Sequence, residues 1–368
     1  MKAMKVVFRA DASLQIGSGH VMRCLTLADA LRSDGAECHF ICREHPGNLV
    51  DVIRERGYRV HGIAFSDADN ATIKSHPSYL SWLGSSQELD AEESLKIVEL
   101  ITPDWLVVDH YALDATWEER LKTNNRNLLV LDDLADRQHV SDILLDQTFG
   151  RNTVDYLTLI PEGSIALCGS DYALLRPDFK KLRHYSLNRR AGYTLKNIFI
   201  SLGGVDRNNV TQKVLESLKV SVLPKSCSIT VVMGPTAPWL KDIQRLARTM
   251  PWSMEVKVGV NNMAQLMADS DLAIGAAGST SWERCCLGVP TAMVVLAENQ
   301  KFAADLLVRA KAVVRLSVCN INYELAQIIE QAVECPGFLR SISEHARSIT
   351  VGAGCERVLN AMFNFKYH

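Results

Sequence analysis

The stretch Arg9-Ala-Asp11-Ala-Ser-Leu-Gln-Ile-Gly17-Ser-Gly19-His20-Val-Met-Arg23 follows the apolar run Val6, Val7, Phe8 and leads straight into a helical pattern. From His20 onward, Val21, Cys24, Leu25, Ala28 and Leu31 fall on one face at helical spacing, which predicts a helix beginning at His20. Strand, glycine loop and helix in succession form the opening unit of a parallel α/β domain. Gly17 and Gly19 allow positive φ and close backbone approach, and the first helical turn leaves N–H donors without intrahelical partners. The loop therefore suits an anion, and a basic, hydrogen-bonding side chain stands at its mouth.

The same alternation extends along the chain. Strand patterns fall near 5–10, 37–42, 59–65, 105–109, 128–132 and 143–146, with amphipathic helices at about 20–33, 48–56, 90–101 and 115–124. A second series begins at Asn197 with a strand at 198–202, the pair Gly203-Gly204 and a helix near 207–219. It continues with strands at 228–233, 254–258, 271–274 and 291–295. A chain of 368 residues exceeds one ordinary core. The expectation is an α/β protein of two Rossmann-like lobes with a ligand cleft between them. Its boundaries are an N-terminal domain at 1–171 carrying the glycine loop, a connector at 172–193 and a C-terminal domain at 194–368, whose last helix is free to pack back on the first domain. The connector reading rests on Pro177 and the cations Lys180, Lys181, Arg183, Arg189 and Arg190, taken as a solvated surface in preference to a phosphate patch.

Composition narrows the function. Hydrophobic content of 47% with 22% charged residues marks a soluble globular enzyme rather than a disordered chain. A net charge of -2 provides no footprint for nucleic acid or an anionic membrane surface. No run approaches the roughly 18 to 20 apolar residues of a membrane span, and the first ten residues lead into a strand without a signal-peptide core. The chain is expected to be cytoplasmic and monomeric. Ten cysteines without a C-x-x-C spacing read as reduced, mostly buried thiols. Cys285-Cys286 point in different directions on a helix and read as core. The histidines form no H-x-x-x-H or H-E-x-x-H pattern, Asp67-Ala-Asp69 reads as a turn, and no metal or cofactor is expected. Asp132-Asp133, at a strand end, is the better acidic candidate, or a cap.

Three further segments carry chemistry. Gly275-Ala-Ala-Gly278-Ser279-Thr280-Ser-Trp-Glu283 follows a strand and opens a helix. There Gly278 permits a sharp bend, Ser279 and Thr280 can cap, neighbouring N–H groups can bind phosphate, and Glu283 can accept a ribose diol. The plainer reading is an N-cap with a first-turn glutamate offsetting the helix dipole. Gly203-Gly204 ends the first strand of the same lobe, and two glycine-rich strand ends at one edge favour a nucleotide diphosphate. A dinucleotide fits less well, because the third glycine of G-x-G-x-x-G is absent after Gly19. Asn299-Gln300, after the 291–295 strand, offers amides for a base or hydroxyl, or else a cap. Tyr111, after Val108-Asp109-His110, projects toward the cleft or belongs to the core. His20, at the positive end of a helix, is disposed to stay neutral, as a general base must be. Asp11 is placed to orient it, and Arg23 shares its helix face.

These motifs together resemble one family. Arg9-Ala-Asp11 through Gly17-Ser-Gly19-His20-Val-Met-Arg23-Cys24-Leu-Thr-Leu-Ala is similar to the opening of the UDP-2,4-diacetamido-2,4,6-trideoxy-β-L-altropyranose hydrolases of pseudaminic acid biosynthesis. Val108-Asp109-His110-Tyr111, Asp146-Gln147-Thr148, Tyr172-Ala-Leu-Leu-Arg176-Pro, Ser201-Leu-Gly203-Gly204 and Gly278-Ser279-Thr280-Ser-Trp-Glu283-Arg-Cys extend the likeness along nearly the whole chain. Thr148 departs from the asparagine expected there. The resemblance implies a glycosyltransferase-B-like fold of the MurG type and release of UDP from a UDP-sugar by water. It implies His20 as base, Gly17 and Gly19 near the diphosphate and sugar, Glu283 on the ribose, and Asn299 or Gln300, Tyr111 and Arg176 as substrate contacts. The same residues leave open a UDP-sugar glycosyltransferase that activates an acceptor hydroxyl, or a protein that only binds a nucleotide sugar.

Overall fold

A computed structural model describes residues 3–65 and 78–365; the Asp67-Ala-Asp69 turn lies outside the described residues. The chain divides into unit 1, Met1–Leu174 with Gly354–His368, and unit 2, Leu175–Ala353. No helix among the described residues is long and apolar enough to cross a membrane.

Unit 1 holds seven strands: β1 (Lys5–Ala10), β2 (Glu37–Arg43), β3 (Arg59–Ile63), β4 (Trp105–Asp109), β5 (Asn127–Leu131), β6 (Ile143–Asp146) and β7 (Ile165–Cys168). They form one parallel sheet in the order β3-β2-β1-β4-β5-β6-β7. Val6, Val7 and Phe8 are fully buried, as a strand covered on both faces requires. Phe8 stacks on Phe40 at 4.9 Å. On one face, α1 (Gly19–Ser33) packs Val21, Cys24, Leu25, Ala28 and Leu31. The Gly354–Asn364 helix adds Val358, Leu359 and Met362 to the same core, which is why the end of the chain belongs to unit 1. The opposite face buries Val7, Leu106, Val108 and Val130 beneath Val98 and Trp117.

Unit 2 repeats the plan with six parallel strands: β8 (Asn197–Ser201), β9 (Ser228–Met233), β10 (Ser253–Val258), β11 (Leu272–Ala276), β12 (Thr291–Val294) and β13 (Val314–Leu316), ordered β10-β9-β8-β11-β12-β13. In each sheet the strand order reverses once beside the first strand, at β1/β4 and at β8/β11. The loops leaving those strands flank the crevice where open α/β sheets hold ligands.

The segment read as a connector is different. Pro177–Arg189 is a helix of unit 2 that buries Phe179 and Ser186. Lys180 and Lys181 are exposed, as a solvated surface requires, but the three arginines are neither a solvated linker nor a phosphate patch. Arg183 donates to the carbonyls of Cys286, Thr350 and Arg347, Arg189 to the Ala268 carbonyl and Asp271, and Arg190 to the carbonyls of Ala268, Ser270 and Leu287. Guanidinium groups that satisfy carbonyls look like surface charge in a sequence and act as packing in the fold. The boundary between units therefore precedes this helix. The short strands β7 and β13 were also not anticipated.

Candidate active site

In unit 1 the parallel register sets Ala10 beside Asp109. The glycine loop after β1 and the end of β4 therefore emerge side by side. Gly17 sits at φ 82°, and its N–H closes the loop on the Ser13 carbonyl at 2.9 Å; Gly19 opens α1. His20, the second helical residue, is 7% exposed. Its Nδ1 lies 2.6 Å from Asp109 Oδ1. Arg23 donates to both oxygens of the same carboxylate, Nε to Oδ2 and Nη2 to Oδ1, each at 2.6 Å. Burial alone would raise the Asp109 carboxyl, but the Arg23 charge and then His20 outweigh it and hold it well below the usual carboxylate range.

An ionised carboxylate has no proton to give. The proton in the 2.6 Å contact therefore belongs to Nδ1, and neutral His20 keeps its lone pair on Nε2. Arg23 continues outward, Nη1 meeting the Asp133 oxygens at 2.9 and 2.7 Å, and Asp133 accepts the Tyr111 hydroxyl at 2.9 Å. The Tyr111 ring meets His20 edge-on, with centroids 4.5 Å apart. Buried Tyr111 therefore braces the imidazole rather than standing free toward a ligand.

Asp11 does not orient His20. It is fully buried, and Oδ1 receives Arg9 Nη1 at 2.6 Å and the Arg43 backbone N–H at 2.7 Å. Its Oδ2 stands 3.6 Å from Nε2 of both His45 and His110. Asp11 thus ties the ends of β1 and β2 together, and Asp109 holds the histidine. The Asp146-Gln147-Thr148 segment is likewise a brace. Asp146 receives the Thr148 N–H, Arg151 Nε and the Tyr156 hydroxyl, and burial, with Asp133 adding to it, pushes its carboxyl up to about 7. Gln147 accepts the Leu174 N–H.

In unit 2 the paired strands β8 and β11 bring the two glycine segments to one edge. Gly203 is left-handed at φ 90°, whereas Gly278 lies outside that region. Ser279 begins the Thr280–Cys286 helix with helical backbone and makes no side-chain cap, contrary to expectation; Thr280 Oγ1 instead accepts Arg284 Nη1 at 2.9 Å. Glu283 is half-buried, and its carboxyl is pushed up to about 7 by burial, against the pull of Arg176 and then Arg284. Arg176 Nη1 reaches the Asn261 carbonyl at 3.4 Å. Gln300 Oε1 accepts the Leu296 N–H at 2.9 Å, and its Nε2 lies 4.0 Å from the position a Gly278 Cβ would take. Asn299 is exposed in the adjoining turn.

Sequence reasoning passed over Asp109 as the partner of His20, and also Gly234 and Arg284. Gly234 donates its N–H to the Gly204 carbonyl at 3.0 Å, and a Cβ there would strike that carbonyl. Gly234→Ala is expected to cost about 1–3 kcal/mol through overpacking. The check is a lower urea midpoint with unchanged slope; an unshifted midpoint would show that the β8 end yields freely.

No family model matches this chain. An uncharacterised protein of Methanocaldococcus jannaschii is 27% identical over 301 residues, 81% of this chain and 56% of that protein, so the chain spans little more than half of that relative's length. The UDP-2,4-diacetamido-2,4,6-trideoxy-β-L-altropyranose hydrolase of Campylobacter jejuni is 28% identical over 309 residues, 83% of this chain and 97% of the hydrolase. Among solved structures, Acinetobacter baumannii MurG superposes with a TM-score of 0.67 at 14% identity, covering 99% of this chain and 100% of that one. CalG4, the calicheamicin glycosyltransferase, gives 0.61 at 13% identity, covering 99% and 98%. The chain therefore has the two-lobed α/β fold of the glycosyltransferase-B type, and it is related in sequence to a UDP-sugar hydrolase.

Proposed function

We propose that this protein is an enzyme of nucleotide-sugar metabolism that hydrolyses a UDP-sugar, with UDP-2,4-diacetamido-2,4,6-trideoxy-β-L-altrose, in pseudaminic acid biosynthesis, as the substrate. The observation that carries the proposal is the His20–Asp109 pair at 2.6 Å, which fixes the tautomer of a buried imidazole at the strand-order reversal of unit 1. Sequence kinship with the Campylobacter hydrolase supports the choice of substrate.

In this reading the nucleotide belongs to the loops after β8 and β11, with Glu283 accepting the ribose hydroxyls and Gln300 beside the 278–280 turn. The reacting sugar belongs to His20. Its Nε2 takes a proton from water as the water oxygen bonds to the anomeric carbon. The bond from that carbon to the diphosphate oxygen breaks, and its electron pair leaves on UDP. Backbone N–H groups of the glycine loops stabilise the charge growing on the departing diphosphate. Attack opposite the leaving group inverts the anomeric centre. Arg23 keeps Asp109 ionised, so the proton that His20 gains is stabilised without passing to the carboxylate.

The experiment is to incubate the protein with a panel of UDP-sugars in water and follow the anomeric signals by NMR. Release of UDP and a free inverted sugar, without an acceptor, is the expected result. Turnover only when an acceptor hydroxyl is added would establish the transferase reading instead, and saturable UDP binding without turnover would leave a binding protein. Because N–H groups carry the leaving-group charge in this reading, turnover is expected to persist in excess EDTA. Loss of activity in EDTA that Mg²⁺ restores would overturn that part.

A further inference from the structure

Arg284 is 1% exposed, yet its hydrogen bonds all go to neutral oxygens: Nη2 to the Ala276 carbonyl at 2.7 Å and to Ser281 Oγ at 3.2 Å, and Nη1 to Thr280 Oγ1 at 2.9 Å. Its Nε finds no partner among the described residues. Arg9 and Arg43 in unit 1 are neutralised directly, by Asp11 and Asp90 and by Asp90 and Glu93. Arg190 in unit 2, like Arg284, is held by neutral oxygens, so what sets Arg284 apart is its place against Gly275 and the 276–280 turn. A buried cation without an adjacent counter-charge is costly, and folds keep such features where function uses them.

The seat of this cation is built. Gly275, in β11, lies so close that a Cβ there would stand 2.5 Å from Nη1 and 2.7 Å from Cζ of Arg284. Only glycine lets the guanidinium come this close to the strand end, where it bonds the Ala276 carbonyl and Thr280 Oγ1 at the two ends of the 276–280 turn. Burial brings the guanidinium down to about 10, which leaves it charged at neutral pH. Glu283, the preceding residue of the helix, is pushed up to about 7 by burial, so at neutral pH in the free protein it is only a partial counter-charge. Among the described residues no hydrogen bond joins it to the guanidinium.

We propose that Arg284 is the buried counter-charge for the nucleotide's diphosphate, a positioning residue that acts through the 275–280 turn without touching the ligand. The proposal rests on the nucleotide reading given above. It explains why a cation is seated against the glycine turn without an ion-pair partner: its partner arrives with the substrate and carries most negative charge as the glycosidic bond breaks. It also explains the glycine at 275, which otherwise sits in a strand interior that glycine weakens.

The test separates charge from hydrogen bonding. UDP and uridine are titrated calorimetrically into the wild type, Arg284→Lys, Arg284→Gln and Gly275→Ala. Lysine keeps the charge with poorer geometry, whereas glutamine keeps amide donors and loses the charge. The expected result is that Arg284→Gln weakens UDP about tenfold to a hundredfold and uridine less than about twofold, while Arg284→Lys stays within about threefold of wild type for both. Gly275→Ala, which pushes the guanidinium from its seat, is expected to fall between them, and the salt dependence of UDP binding flattens in Arg284→Gln. Equal losses in the Lys and Gln variants, or uridine weakening in step with UDP, would reduce Arg284 to a structural brace and overturn the proposal while leaving the nucleotide reading intact. A wild type that does not prefer UDP to uridine would overturn both.

Discussion

His20→Ala is expected to lower UDP-sugar turnover by about 10²- to 10⁴-fold, while the dissociation constant for UDP stays within about twofold. The size follows from what is removed. Without Nε2, water must lose its proton to solvent as it attacks, and the general-base contribution disappears from the transition state alone. Asp109→Asn is expected to do comparable damage by another route. An amide at 109 presents an N–H to Nδ1, the ring proton moves to Nε2, and the lone pair then faces away from the reacting water. Since the two residues act as one unit, the double variant should be little worse than either alone. Steady-state kinetics beside UDP calorimetry separates the outcomes. Near-normal turnover in His20→Ala removes the base from the mechanism, and a matching loss of UDP affinity would mean that the substitution acts through binding.

The pairing behind that prediction shows where sequence reading succeeds and where it stops. His20 is legible because strand, glycine loop and helix are contiguous, so periodicity locates it directly. Asp109 lies 89 positions away. Proximity along the chain favoured Asp11 as the partner, but Asp11 faces Arg9 and the Arg43 backbone. Only the strand order decides the matter, since β4 lies against β1 and its last residue comes level with Ala10. A parallel sheet ordered β3-β2-β1-β4 implies that neighbour, and the sequence carries its trace as Val108-Asp109-His110 at a strand end. The arginines of the Pro177–Arg189 helix and its C-terminal Arg190 were harder to read. Positive charge reads as solvent exposure until the carbonyls that absorb it are known, and those belong to residues such as Ala268, Leu287 and Arg347, far along the chain. Gly234 and Arg284 escaped for the same reason. Each is defined by what presses on it, the Gly204 carbonyl in one case and the bare backbone of Gly275 in the other.

Glu283→Gln is expected to weaken nucleotide-sugar binding about tenfold to a hundredfold at pH 8, with the gap narrowing as the pH falls toward 6. In the free protein this carboxyl is pushed up to about 7 by burial, so at pH 6 it is mostly neutral and at pH 8 mostly ionised. Only the carboxylate accepts hydrogen bonds from both ribose hydroxyls, so wild-type affinity should rise with pH through about 7 and then level, with protons released on binding. A UDP-hexose is the proper probe, because its diphosphate lacks the terminal phosphate proton that would titrate in the same range. Stability should move the opposite way. The group holds its proton more tightly folded than unfolded, so its contribution is present below the ordinary value of 4.5 and is lost as pH rises through about 7. Two slopes of opposite sign, both abolished by one substitution, are difficult to obtain from a carboxylate that merely caps a helix. Calorimetry from pH 6 to 8 in buffers of differing ionisation enthalpy measures the first slope, and thermal unfolding over the same range measures the second. An affinity flat with pH in the wild type, or a slope that survives in the glutamine variant, would take the ribose away from Glu283.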